Sequence, residues 1–239
     1  MGLLINGKWT QDEAGKADTS GRFQRVASSL RNWITPDGAP GPTGDGGFAA
    51  EPGRYHLYVS LACPWAHRAL ILRKLKGLEG MISLSVTHWL MAEEGWSFAP
   101  GEGVMSDPVF GAPAMHAVYS GAHADYTGRA TVPVLFDRKT MRIVNNESSE
   151  IIRMFNSAFD GVGAKAGDFY PQDLRPEIDA LNERIYGSVN NGVYRAGFAA
   201  SQEAYEEAVW PLFETLDWLD ARLATQRYLC GARLTEADW

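Results

Sequence analysis

Cysteine is scarce: the 239 residues include two, Cys63 and Cys230. They lie far apart in a chain with no export signal, which argues against a structural disulfide and for a reducing compartment. No stretch approaches the roughly 18 to 20 consecutive apolar residues that a membrane span needs. The first eight residues have too short an apolar run for a signal peptide, and Asn6 spoils a myristoylation match. Positive charge is in deficit, with 22 Lys and Arg against 29 Asp and Glu for a net charge of -7. That balance argues against nucleic acid or an anionic membrane as a partner. These absences point to a cytoplasmic protein, and its length allows one or two domains around a substantial core.

The stretch Cys63-Pro64-Trp65-Ala66-His67-Arg68 carries the chemistry. It follows residues 55–60, whose aromatic and β-branched side chains predict a strand, and it opens residues 66–75, which predict a helix. Cys63 therefore stands at a strand-to-helix turn, with Pro64 suited to the first helical position. The sulfur faces the unpaired N–H groups and the positive dipole end of the helix, which favour thiolate over thiol. Ala66 occupies the place a second cysteine would need for dithiol exchange, so the residue types predict a monothiol. Cys230 reads as a small buried hydrophobe. His67 lies four residues after Cys63 on the same helix face, but without two further ligands it reads as a packed or hydrogen-bonding histidine rather than a metal ligand.

Residues 1–53 show little periodicity and are dense in Pro and Gly at 36–47, which predicts an irregular arm. Those glycines neither follow a strand nor open a helix, so they are not a dinucleotide loop. Phe23, Trp33 and Phe48 predict that the arm packs on the rest in places. Residues 81–86 alternate as a strand, completing a strand, helix, strand unit with parallel pairing. Residues 92–128 are long and rich in Gly, Ala and Pro, which predicts a functional segment or insertion without an assignable fold. Residues 131–137 and 141–144 predict a hairpin, with Pro133 near its start, where a sheet tolerates proline or a cis peptide is placed. Residues 145–150 supply caps and acidic charge before a helix beginning near Ile151. A βαβ unit followed by ββα is the thioredoxin-like arrangement, here over 54–160.

After a linker at 160–171 the pattern turns wholly helical. Leu174, Ile178, Leu181, Ile185, Val189 and Val193 predict one helix over 172–195. Tyr205, Ala208, Leu212, Leu216, Leu219 and Leu223 predict a second over 201–224, kinked at Pro211. Thr235 with Asp238 three residues on reads as a cap opening another helix. Residues 171–239 thus make a partial helical domain, and the fold class is α/β plus all-α.

These motifs resemble glutathione transferases with a cysteine active site, and most closely the Xi class, the glutathionyl-hydroquinone reductases. The match runs through Phe23-Gln24-Arg25, Leu30-Arg31-Asn32-Trp33, Tyr55-His56-Leu57-Tyr58, the Cys63–Arg68 box, Thr131-Val132-Pro133-Val134-Leu135, Asn146-Glu147-Ser148, Asn190-Asn191-Gly192-Val193-Tyr194 and Leu234–Asp238. The Cys-Pro-Trp-Ala-His-Arg box together with Asn-Asn-Gly-Val-Tyr is specific. The Val-Pro and Glu-Ser pairs alone would indicate only a glutathione-binding thioredoxin-like domain.

The resemblance implies glutathione as co-substrate, no metal, and an aromatic, hydroquinone-type substrate. It implies Cys63 as nucleophile, Val132 as the backbone partner of the cysteinyl part of glutathione beside a cis Pro133, and Glu147 and Ser148 at the γ-glutamyl end. It further implies Trp96 and Arg129 at the glycyl side and Tyr194 in the aromatic-substrate pocket, as a candidate proton donor. The implied activity is reduction of glutathionyl-hydroquinones through a Cys63-glutathione mixed disulfide. Alternatives are an omega-like thiol transferase or dehydroascorbate reductase, and a glutathione-binding module with little activity. The family is homodimeric and continues with further helices and a C-terminal extension, so the sequence reads as truncated at its C-terminus, with apolar faces of its first two domain helices exposed.

Overall fold

The computed structural model describes residues 2–11 and 17–239; Met1 and the part of the expected arm at 12–16 lie outside them. The chain divides into two compact units, Met1–Asp12 with Ser28–Gly167, and Glu13–Ala27 with Asp168–Trp239.

The first unit opens with an antiparallel hairpin, β1 (Gly2–Ile5) and β2 (Lys8–Gln11), which corrects the expectation of an irregular start. Asn6 and Gly7 turn it with φ of 48° and 73°, the left-handed pair that a two-residue hairpin demands and that Asn-Gly supplies. That dipeptide was the readable signal. Leu4 is fully buried and exchanges both backbone hydrogen bonds with Gly128 at 2.9 Å.

A second sheet forms the body of the unit, in the order β4-β3-β5-β6. Its strands are β3 (Tyr55–Ser60), β4 (Ile82–Thr87), β5 (Val134–Asp137) and β6 (Arg142–Asn145), with β3 parallel to β4 and antiparallel to β5. Between β3 and β4 runs α1 (Pro64–Leu75), and after β6 comes α3 (Ser148–Ser157). This is the expected thioredoxin-like order. All six residues of β3 are buried, as a central strand requires. Helix α3 buries Ile151, Ile152, Met154 and Phe155 and packs against α1, which buries Trp65, Ala66, Ala69 and Leu72.

Two segments without an expected fold are ordered here. Within 92–128, α2 (Met115–Ala122) forms, and the buried Asp107 organises the loop before it. Its carboxylate accepts from the Tyr58 hydroxyl at 2.7 Å and from the amides of Val109, Phe110 and Ala112 at 2.9–3.0 Å. Residues 30–32 of the arm lie along β6, with Asn32 N donating to Val144 O at 2.9 Å and Asn146 N to Leu30 O at 3.0 Å. The irregular arm is thus partly an added sheet edge.

The second unit holds α4 (Arg175–Ile185), α5 (Gly192–Gly197) and α6 (Gln202–Leu223). The single helix expected over 172–195 is broken by a π turn at Tyr186–Asn190, a widening that apolar spacing does not register. Helix α6 runs through Pro211 as one element. Ile178, Leu181, Leu229, Cys230 and Ala237 form the core, with Trp218 and Leu219 against it. Thr235 and Asp238 close a reciprocal capping box around a single 3₁₀ turn, as their spacing predicts. Of the apolar positions predicted on α6, Ala208 and Leu212 are buried, whereas Tyr205, Leu216 and Leu223 are exposed together with Trp210 and Phe213.

Candidate active site

Cys63 is the N-cap of α1, in extended conformation at φ -100° and ψ 113°, with Pro64 in the first turn. Its backbone N–H donates to Ser60 O at 3.1 Å, which ties the turn to the end of β3. The residue is 7% exposed, and its Sγ lies 3.6 Å from Val132 O. The side chain makes no cap bond to the helix, and the sulfur stands at the helix start. His67 is exposed on the same helix. Among the described residues no group of three His, Cys, Asp or Glu side chains is placed to hold a metal ion.

The Val132-Pro133 peptide is cis, and the ladder of β5 begins only at Val134. This leaves the Val132 main chain outside the sheet pairing, where a peptide-like ligand can pair with it in strand fashion.

Glu147 caps α3, with Oε1 accepting from Ser149 N at 3.2 Å and from Ser149 Oγ at 3.1 Å. Its Oε2 accepts from Ser28 Oγ at 3.1 Å. A carboxylate offers about four lone-pair sites, so one direction on Oε2 remains for an incoming ammonium. Ser148, the first residue of α3, is 2% exposed and accepts from Arg68 Nη1 at 3.2 Å. Helix starts of this kind bind carboxylates through their free N–H groups.

Buried side chains join these two halves. Asn146 Nδ2 donates to the Tyr119 hydroxyl at 3.2 Å, and that hydroxyl lies 3.2 Å from Thr131 O, one residue before Val132. Burial pushes the Tyr119 phenol up to about 12, so it stays a neutral donor and acceptor. On the other side Arg31 grips Glu150 in α3 through two bonds, one of 2.6 Å. The fully buried Asn145 donates to Glu150 Oε2 at 2.7 Å and accepts from Glu147 N at 2.7 Å.

The structure therefore brings Cys63 to Val132 and sets Glu147 and Ser148 on the neighbouring helix start, tied to Thr131 through Asn146 and Tyr119. Trp96 and Arg129 are half-buried in the same unit, and their main chains hold α2 and its surroundings: Met115 N donates to Trp96 O at 2.8 Å and the Tyr126 hydroxyl to Arg129 O at 3.4 Å. Tyr194 belongs to the second unit, on α5, where its ring centroid lies 6.4 Å from Phe23 and 6.3 Å from Phe198, with the Arg25 guanidinium 5.3 Å over it. Sequence reasoning missed Ser28, Arg31, Arg68, Tyr119 and Asn145 as site supports. Arg68 had a signal as the end of the cysteine box, Arg31 as part of the Leu30-Arg31-Asn32-Trp33 motif and Asn145 within the cap stretch, whereas Ser28 and Tyr119 had none.

Comparison with known proteins agrees with this architecture. The glutathione S-transferase N-terminal domain family matches residues 62–158 and the glutathione S-transferase C-terminal domain family residues 202–239. Glutathionyl-hydroquinone reductase YqjG of Escherichia coli is 59% identical over 239 residues, 100% of this chain and 73% of the relative. Glutathionyl-hydroquinone reductase PcpF of Sphingobium chlorophenolicum is 54% identical over 238 residues, 100% of this chain and 73% of its own length. The glutathione-bound structure of Escherichia coli YqjG superposes with a TM-score of 0.89 at 55% identity, over 99% of this chain and 71% of that one. Identity of this order, over more than two thirds of each relative, leaves one assignment: the chain belongs to the glutathionyl-hydroquinone reductases of the Xi class of glutathione transferases.

Proposed function

We propose that this chain reduces glutathionyl-hydroquinones to hydroquinones at the expense of glutathione, with Cys63 as the nucleophile. The observation that carries the reading is Cys63 at the N-cap of α1, 3.6 Å from the unladdered Val132 carbonyl. In the first step the Cys63 thiolate attacks the glutathione sulfur of the substrate. The sulfur–aryl bond breaks, the aryl carbon takes up a proton to give the hydroquinone, and Cys63 is left as a mixed disulfide with glutathione. A second glutathione thiolate then attacks that disulfide, restoring Cys63 and leaving as oxidised glutathione. Atoms balance: one glutathionyl-hydroquinone and one glutathione give one hydroquinone and one glutathione disulfide.

In this reading Val132 pairs with the cysteinyl main chain of glutathione, beside Pro133. Glu147 takes the γ-glutamyl ammonium, Ser148 with the start of α3 takes its carboxylate, and Trp96 and Arg129 hold the glycyl end. Tyr194 is the proposed proton donor within an aromatic pocket that includes Phe23 and Phe198. The reaction as proposed uses no metal, and the cysteine usage supports a cytoplasmic location.

Turnover of a glutathionyl-hydroquinone by Cys63→Ala tests the mechanism, since full activity in that variant would sink it. Parallel rates on a mixed-disulfide substrate and on dehydroascorbate separate this reading from an omega-like thiol transferase: the glutathionyl-hydroquinone is expected to be the better substrate.

A further inference from the structure

Arg68 ends the Cys63–Arg68 motif, and no step above uses it. Its half-buried guanidinium donates through Nη1 to Ser148 Oγ at 3.2 Å, across from α1 to the start of α3. A guanidinium has no lone pair, so the serine hydroxyl must be the acceptor in this bond, and its one proton is left to donate elsewhere. Beside it the Ser149 N–H is taken by Glu147. Glutathione carries an ammonium and a carboxylate on a single γ-glutamyl carbon, so the site must present an anion and a cation close together. Glu147 is the anion. A substrate carboxylate arriving next to Glu147 meets like-charge repulsion unless a cation offsets it, and this part-buried setting screens such terms less than open water does.

We propose that Arg68 is the positioning cation of the γ-glutamyl subsite: it holds the Ser148 hydroxyl as a donor and offsets the α-carboxylate of glutathione, so that the site selects ligands bearing that carboxylate. The proposal rests on the reading that Glu147 and Ser148 receive the γ-glutamyl end. It also joins substrate recognition to the helix that carries Cys63, because Arg68 and Cys63 belong to the same rigid element.

The test titrates the full chain with glutathione and with the analogue whose γ-glutamyl group is replaced by 4-aminobutyryl, which lacks only the α-carboxylate. Wild type is expected to prefer glutathione by on the order of 30-fold, the range of a charge-assisted hydrogen bond. Arg68→Met is expected to cut that preference below about threefold by weakening glutathione while leaving the analogue unchanged. Arg68→Gln keeps a neutral donor for Ser148 and is expected to fall between, and Arg68→Lys to recover part of the preference. Equal weakening of both ligands in Arg68→Met would mark a merely structural side chain and overturn the proposal, as would an undiminished preference. Where Arg68→Met does not fold, the same ratio in Arg68→Gln decides. Wild type binding both ligands equally also overturns it, whereas wild type binding neither overturns the glutathione reading itself.

Discussion

Helices α3 and α6 start in the same way and end up in different environments. Each has a side-chain cap, Glu147 accepting from Ser149 N at 3.2 Å and Ser201 accepting from Ala204 N at 3.3 Å. Yet α3 buries Ile151, Ile152, Met154 and Phe155 to 1% exposure or less, while α6 leaves Trp210 63% and Phe213 55% exposed. Capping fixes where a helix begins, and the difference between the two lies in what surrounds them. The first unit encloses α3, burying seven of its ten residues. The second buries a narrow stripe of α6, Ala204, Ala208, Leu212 and Thr215, and keeps large apolar side chains in solvent.

The largest effect expected from this contrast is catalytic. Cys63→Ala is expected to lower turnover of a glutathionyl-hydroquinone by at least about 1000-fold while leaving the melting temperature near wild type, since the exchange removes only one sulfur from a buried position. Next comes Phe155→Ala, which opens a cavity in the enclosed helix and is expected to cost about 3–5 kcal/mol in urea unfolding. A cost under about 1 kcal/mol would break the comparison by showing that α3 is no better packed than α6.

A third effect is one of pH. Burial holds the His56 imidazole down at about 4, between the hydroxyls of Ser83 at 2.6 Å and Ser85 at 2.9 Å. Unfolded, the same group titrates near 6.5, so between those values the unfolded chain takes up a proton that the folded chain refuses. The stabilisation is complete above about pH 6.5 and is lost as pH falls toward 4, by roughly 3 kcal/mol. Unfolding midpoints measured across that range should drop in wild type and drop less in His56→Gln; parallel curves for the two would refute the assignment. Ser201→Ala, removing the cap of α6, is expected to cost about 1 kcal/mol. The smallest effect is expected for Trp210→Ser on the exposed face of α6, within about 0.5 kcal/mol, and a larger loss measured by denaturation would show that this face is covered in solution.

Much of the first unit was legible because its signals are local. The strand at 55–60 coincides with β3, and the Cys-Pro start and the hairpin around Arg138-Lys139-Thr140 stand within a few residues of where the pattern put them. Asn6-Gly7 was an equally local signal that went unread, because three apolar residues before a turn look too short for a strand. The π turn at Tyr186–Asn190 was not legible at all, since positions three and four apart stay apolar whether or not one turn widens. The arm was misread for a different reason: residues 30–32 pair with β6 through backbone groups, which leave no mark on side-chain alternation.

The sequence by itself determined that a single thiol sits at a helix start with no partner cysteine, that the turn at Glu236–Asp238 begins where its cap stands, that a helix follows the cap stretch 145–150, though it starts at Ser148 rather than near Ile151, and that the sheet is of mixed strand order. These depend on neighbours within a few residues, whose spacing is written in the chain. Only the tertiary structure decided what steadies the site around the thiol. Arg68 meets Ser148 across 80 positions and Arg31 meets Glu150 across 119, and Tyr119 stands between Asn146 and Thr131. Such contacts form because the sheet brings distant segments together and buried polar groups must find partners there, a requirement that selects the pairs only once the backbone has folded.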